Sequence, residues 1–230
     1  MIDTHTHLLP GVDDGVQNVE EALKILKTLS EEGVKGVCLT PHYAVMRGFF
    51  EGKAFYRERF DAFKSEAEKA GIEMPLYLGS EIDEYDEMET LVGKAHTLNG
   101  SAYALIDFGM RKADIAEIAY TLSIKGYRTV VAHPERYRYM KLSDWKRVRK
   151  DGGLLQLSAA HLIKKGSKRS QKMACDLLKE DMVDLVASDI HDERGVHDMK
   201  KAFKVVQKKM GRDTALRLFD SVPRKVLGIE

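Results

Sequence analysis

The chain has 230 residues, 43% of them hydrophobic, which fits one large domain with a sizeable core and excludes a disordered protein. Two cysteines, Cys38 and Cys175, give no disulfide framework, no apolar run reaches the roughly 18 residues of a membrane span, and the N-terminus lacks the regions of a secretion signal. Net charge is +1, but residues 1–100 hold 10 Lys/Arg against 19 Asp/Glu and residues 101–230 hold 27 against 17; the basic half reads as solvated helix faces rather than a nucleic-acid surface.

Residues 1–5 read as a first strand. Asn18 then caps a helix with apolar positions Ala22, Leu23, Leu26 and Leu29; Glu21 is placed for a capping box and Gly33 ends it. Strands follow over 36–41, 76–81, 103–108, 129–133, 154–159 and 184–189, near-continuous apolar runs of the kind buried on both faces. Helical patterns cover 55–70, 113–125, 143–151, 168–180 and 197–210. Alternating strands and helices imply a parallel sheet. Seven such units predict an α/β fold, a distorted (β/α)7 TIM-like barrel, formed by a single domain over residues 1–230. A cytoplasmic location is expected.

Six of the seven predicted strands deliver a histidine or carboxylate to their C-terminal ends: His5 and His7, His42, Glu81, Asp107, His133, and Asp189 with His191. In a barrel those ends converge on one face, where active sites are built. Each residue alone is a weak signal, but joint placement points to metal. The donors are nitrogen and oxygen with no thiolate, which suits Mn, Fe, Zn or Mg. They exceed one ion's need, so two or three ions are implied. Multi-metal clusters serve in-line displacement at phosphorus, which predicts a phosphoesterase.

Asp14, in Gly11-Val12-Asp13-Asp14-Gly15 just after the His-x-His, reads as a further ligand, the plainer reading being an exposed turn; Asp14 and a metal-bound water are the two candidates for the general acid. Arg136, three residues after His133, carries the planar fork that grips phosphate, unless it pairs at the surface with Glu135 or Asp144. Arg194 is a similar candidate beyond His191. His161 is a candidate rim residue. His96, His197 and Trp145 read as structural, and Phe49 and Phe50 as edges of the cleft.

These motifs in this order resemble those of the PHP (polymerase and histidinol phosphatase) superfamily, from residue 1 to about 195. More narrowly, Met1-Ile-Asp-Thr-His-Thr-His7, the 11–15 segment, Tyr103-Ala-Leu-Ile-Asp-Phe108, Ala132-His-Pro-Glu-Arg-Tyr137 and Ala187-Ser-Asp-Ile-His191 are similar to manganese-dependent protein-tyrosine phosphatases of bacterial capsule and exopolysaccharide loci. The resemblance implies three ions. His5, His7, Glu81 and Asp189 would hold one, Glu81, Asp107 and His133 a second, and Asp14, His42 and His191 a third. It implies Arg136 for the phosphate, Mn2+ as cofactor, and the phosphotyrosine tail of a bacterial tyrosine kinase as partner, with no nucleic acid. Two departures stand out: Asp107 occupies a position that is usually Glu, and the loop carrying Arg194 differs.

The rival readings are a PHP-type histidinol-phosphate phosphatase, a PHP nuclease, and a scaffold with a dead site. A cysteine-based phosphatase fits poorly, since Cys38 sits inside a predicted strand with no nearby phosphate loop.

Overall fold

The computed structural model describes residues 1–84, 87–109 and 112–229. The first half runs β1 (Asp3–Thr6), α1 (Val19–Glu31), β2 (Val37–Leu39), β3 (His42–Tyr43), α2 (Lys53–Lys69), β4 (Leu76–Leu78), β5 (Glu81–Asp83), α3 (Met88–Lys94) and β6 (Tyr103–Asp107). The second continues with α4 (Ile115–Ile124), β7 (Arg128–Ala132), α5 (Leu142–Lys150), β8 (Leu154–Ser158), α6 (Ala159–Leu162), α7 (Lys168–Lys179), β9 (Leu185–Ala187) and α8 (Asp198–Met210). It closes with α9 (Arg212–Leu216), a π turn over Arg217–Ser221, and α10 (Val222–Leu227).

All strand pairs are parallel, as the alternating pattern requires. One sheet has the order β1-β2-β4, the other β3-β5-β6-β7-β8-β9. The second and third expected strands each divide in two, at Thr40-Pro41 and at Gly79-Ser80. Pro41 has no N–H to continue the ladder. The broken chains stay side by side, with Gly79 N–H donating to the Leu39 carbonyl and Glu81 N–H to the Pro41 carbonyl. After the paired breaks His42 and Glu81 become register partners. The last strand approaches the first beyond its own end: Asp189 N–H donates to the His5 carbonyl and His7 N–H to the Ile190 carbonyl.

The helix α1 forms as its sequence indicates. Asn18 accepts from Glu21 N–H at 2.9 Å, and Ala22, Ile25, Leu26 and Leu29 are buried. The cap is one-sided, because the Glu21 carboxylate meets the Asn18 side-chain amide at 3.5 Å instead of its backbone. Among the described residues, three stretches with α-helix escaped the periodic reading: α3, α6 and the C-terminal stretch from α9 to α10. The last of these has a structural role. Ile2, Cys38, Leu105, Val130 and Leu185, from five strands or their edges, pack with Leu227 of α10 in one apolar cluster. The polar strand ends lie beyond it.

Candidate metal centre

Glu81, the first residue of β5, is the hub. Its Oε2 lies 3.4 Å from His5 Nε2, 3.3 Å from His7 Nε2 and 3.1 Å from His42 Nδ1; its Oε1 lies 2.8 Å from His133 Nε2. Three groups of side chains bring their ligand atoms within 4.8 Å of one another: His5, His7 and Glu81; Glu81, Asp107 and His133; and His7, Asp14, His42 and His191. Asp189 borders the first group, 3.5 Å from His5 and 3.6 Å from His7, while its other oxygen accepts from Arg136 Nη2. So much nitrogen and oxygen in one place needs cations to be compatible with burial. Among the described residues, His42 Nδ1 and His133 Nδ1 are buried without a hydrogen-bond partner. The donor set fits hard or borderline divalent ions.

The supporting residues fix which ring nitrogen faces inward. His5 Nδ1 meets Gln156 Oε1 at 2.8 Å, and His7 Nδ1 meets Asp13 Oδ2 at 2.8 Å, which leaves both Nε2 atoms toward Glu81. Asp13 Oδ2 also accepts from His42 N–H at 3.0 Å, so one carboxylate ties two imidazole positions together. This loop can lie on His7 only because position 15 is glycine, where a Cβ would stand 2.1 Å from the His7 carbonyl oxygen. His133 and Asp189 take left-handed backbone, φ 33° and 56°, just past their strands.

Asp107 is held from two sides. Its Oδ1 accepts from Gly109 N–H at 2.7 Å and lies 3.0 Å from Tyr137 Oη. The short carboxylate thus still joins the Glu81 and His133 group.

The charges follow from this crowding. Burial would raise Glu81, but His5, His133 and His7 hold it well below the usual carboxylate range. Burial likewise works against Asp189, yet His5, His7 and Arg136 hold it low. Burial depresses His7, and the carboxylates of Asp13, Asp189 and Glu81 outweigh it, leaving the imidazole well above its ordinary value. Burial and Arg136 depress His133, but Asp107 and Glu81 bring it up to about 9. A divalent ion would have to displace these protons, so its affinity for the site would fall as pH drops.

A family model for capsular polysaccharide synthesis proteins, CpsB/CapC, matches residues 1–228. The chain belongs to the CpsB/CapC family. The tyrosine-protein phosphatase CpsB of Streptococcus pneumoniae is 33% identical, over 99% of this chain and 98% of that protein. The tyrosine-protein phosphatase YwqE of Bacillus subtilis is 29% identical over 96% of this chain and 89% of its own. A crystal structure from work on YwqE and CpsB, described as unique metal-dependent tyrosine phosphatases, superposes with TM-score 0.87 at 26% identity, covering 100% of this chain and 95% of that one. A chain of an archaeal ribonuclease P shares the fold alone, at TM-score 0.65 and 14% identity.

In this CpsB/CapC member, every residue that the sequence singled out as a ligand lies in or beside the three groups. Arg136, on the turn Pro134–Arg136, reaches Asp189 instead of Glu135 or Asp144. Arg194 is not brought in. Its side chain is 90% exposed and held by Asp192. His161 is buried instead of lining a rim, with Nδ1 2.7 Å from Glu135 Oε1. Trp145 is fully buried. His96 Nε2 lies 3.0 Å from the Lys53 carbonyl, and His197 precedes α8. The ring of Phe49 stacks on His42, while Phe50 is exposed. Asp13, Gln156, Tyr137 and Arg47 were missed. The adjacent acidic pair beside an obligatory glycine was the available signal for Asp13.

Proposed function

We propose that this chain is a metal-dependent protein-tyrosine phosphatase that hydrolyses phosphotyrosine in the control of capsular or exopolysaccharide synthesis. The observation that carries this reading is the centre built around Glu81, in a chain whose relatives are named tyrosine-protein phosphatases. We read His5, His7 and Glu81 with Asp189 as holders of one ion, Glu81, Asp107 and His133 of a second, and Asp14, His42 and His191 of a third. Mn2+ is the preferred ion, with Fe, Zn and Mg as alternatives.

Bound divalent ions supply charge for the phosphoryl oxygens and acidify water for attack in line. The chain's own groups do the rest. Arg136 stands at the edge of the centre on Asp189, where its fork can turn to the substrate's phosphate. Asp14, half-exposed, is the candidate proton donor to the leaving oxygen. Tyrosine leaves with a pKa of about 10, so the demand on that donor is modest. Met46 and Phe50 are exposed, large and apolar on the loop after His42, which suits an aromatic substrate on a peptide. The tail of a bacterial tyrosine kinase is the proposed partner.

We further read the two sheets as one distorted (β/α)7 barrel, supported by the hydrogen bonds between the β1 and β9 ends, and residues 1–230 as one domain. No helix among the described residues is long and apolar enough to cross a membrane. A cytoplasmic setting accords with two unpaired cysteines.

The test compares kcat/KM for a phosphotyrosyl peptide, a phosphoseryl peptide and histidinol phosphate under one Mn2+ condition, before and after chelation. The phosphotyrosyl peptide should lead, and chelation should abolish turnover until Mn2+ is restored. A tenfold lead for histidinol phosphate, about 1.4 kcal/mol in transition-state binding, would replace this reading with the metabolic one.

A further inference from the structure

The loop after β3 carries a cation into the centre that none of the sequence motifs announced. Val45–Arg47 makes a single 3-10 turn. Ala44 and Phe49 bracket it by exchanging backbone hydrogen bonds, at 2.5 and 3.0 Å. The Phe49 ring lies parallel to His42, with centroids 6.1 Å apart, and the Arg47 guanidinium carbon sits 5.3 Å from the Phe49 centroid. So braced, Arg47 Nη2 donates to Asp14 Oδ2 at 2.5 Å and Nη1 to His42 Nε2 at 3.0 Å.

A guanidinium only donates, so His42 Nε2 is the acceptor here and the ring proton belongs on Nδ1. Nδ1 lies 3.1 Å from Glu81 Oε2 and 3.6 Å from Asp83 Oδ1 without making a hydrogen bond to either. His42 and Asp14 both belong to the outermost ligand group. The single lone pair of a neutral imidazole nitrogen serves one electrophile at a time. Arg47 and a divalent cation that used His42 Nε2 would therefore compete for it.

Displacement would not send Arg47 far. Its backbone is pinned by the Ala44 and Phe49 pairing, and its guanidinium by the Phe49 face. An anion seated on the centre would offer its guanidinium new acceptors. Arg136 already stands on Asp189, and Arg194 is turned away onto Asp192, so among the described residues the centre otherwise has a single guanidinium for a doubly charged phosphoryl group. We propose that Arg47 is a second phosphate-gripping arginine, parked on Asp14 and His42 and handed to the substrate's phosphoryl oxygens when a divalent cation takes the His42 nitrogen. This rests on the metal-dependent phosphatase reading.

Two measurements on the full chain test it. Mn2+ titration by calorimetry, on wild type, Arg47→Ala and Arg47→Gln, reads the competition. The weakest-bound ion should bind about tenfold more tightly in both variants, the effect of one lost competing contact. Orthophosphate binding at saturating Mn2+ reads the handover. Its Kd should rise about tenfold in both variants, with Arg47→Lys intermediate because charge survives without the fork. Unchanged Mn2+ affinity overturns the competition, and unchanged orthophosphate affinity overturns the handover; either result sinks the proposal. If wild type itself binds no Mn2+, the underlying phosphatase reading falls with it, a result distinct from any difference among the Arg47 variants.

Discussion

Glu81 and His133 stand on or just past strands of the six-stranded sheet, 1% and 4% exposed in their side chains. Across the centre, Asp14 and His191 come from loops and are 47% and 33% exposed. The inner flank is held by strand register and by hydrogen bonds such as those on Asp107; the outer flank depends on a turn fixed by Asp13 and on a loop that brings Arg47. The inner side chains are preorganised and shielded from water, so an ion placed there would be bound tightly. Arg47 already occupies Asp14 and His42 on the outer side, so an ion there would have to displace a resident cation. The difference separates a structural grip from an exchangeable, substrate-facing one.

The sharpest way to break this comparison is at the residue both flanks share. Glu81→Gln keeps size but removes the charge that four histidines face. It should cut kcat/KM by about 10²–10³-fold, the scale of losing a central electrostatic group, and release more than one ion per chain in elemental analysis. Asp14→Asn should release no more than one. Equal losses in the two variants would erase the distinction between the flanks.

A smaller effect is expected behind the outer flank. Asp13→Asn leaves every proposed ligand in place but weakens the hold on His7 Nδ1 and the His42 backbone. Metal affinity should fall by about 10–100-fold, as for other groups that orient ligating histidines. Calorimetry should assign that loss to the outer and central ions, with the ion on Asp107 and His133 the least affected.

The mildest prediction concerns the floor beneath the centre. Asp3 is fully buried, and burial raises its carboxyl to about 6 against the stabilising contact from Ser188. A folded value above the unfolded one means that its contribution is fully present below pH ~4 and is lost as pH rises through about 6. Asp3→Asn escapes this loss. In urea unfolding, the variant should therefore gain on wild type between pH 4.5 and 7, by about 2–3 kcal/mol at most. A constant gap across that range would show that Asp3 titrates normally in the fold.

Much of the centre was legible because strand ends are periodic landmarks. A short apolar run followed by His or a carboxylate can be read without knowing how the strands twist, and Glu81, His133 and Asp189 were all found this way. What could not be read was the turn between such landmarks. Asp13 and Asp14 are neighbours of one type, and only the fold of the loop onto His7 sends one behind the ring and the other in front. Arg47 sits in a segment without hydrophobic period, and its aim depends on the bracket formed by Ala44 and Phe49. Arg194 shows the converse: proximity in sequence to His191 placed it near the site, but its closest acceptor is Asp192, two residues away. Among the helices, α6 is a single short turn, and the C-terminal stretch contains a π turn that breaks the 3.6-residue repeat.

The junction of first and last strands has a consequence for how the molecule is born. Ser188 N–H donates to Asp3 Oδ1 across 185 residues of chain, and Asp189 N–H reaches back to the His5 carbonyl beside it. A chain emerging from a ribosome presents His5 and His7 first and Asp189 and His191 last, so the ion-binding face cannot be assembled in instalments. Such long-range closure is slow. An ion held by the proposed ligands would then recognise the finished molecule and not its precursors, and a higher ion supply would draw the population toward the closed form.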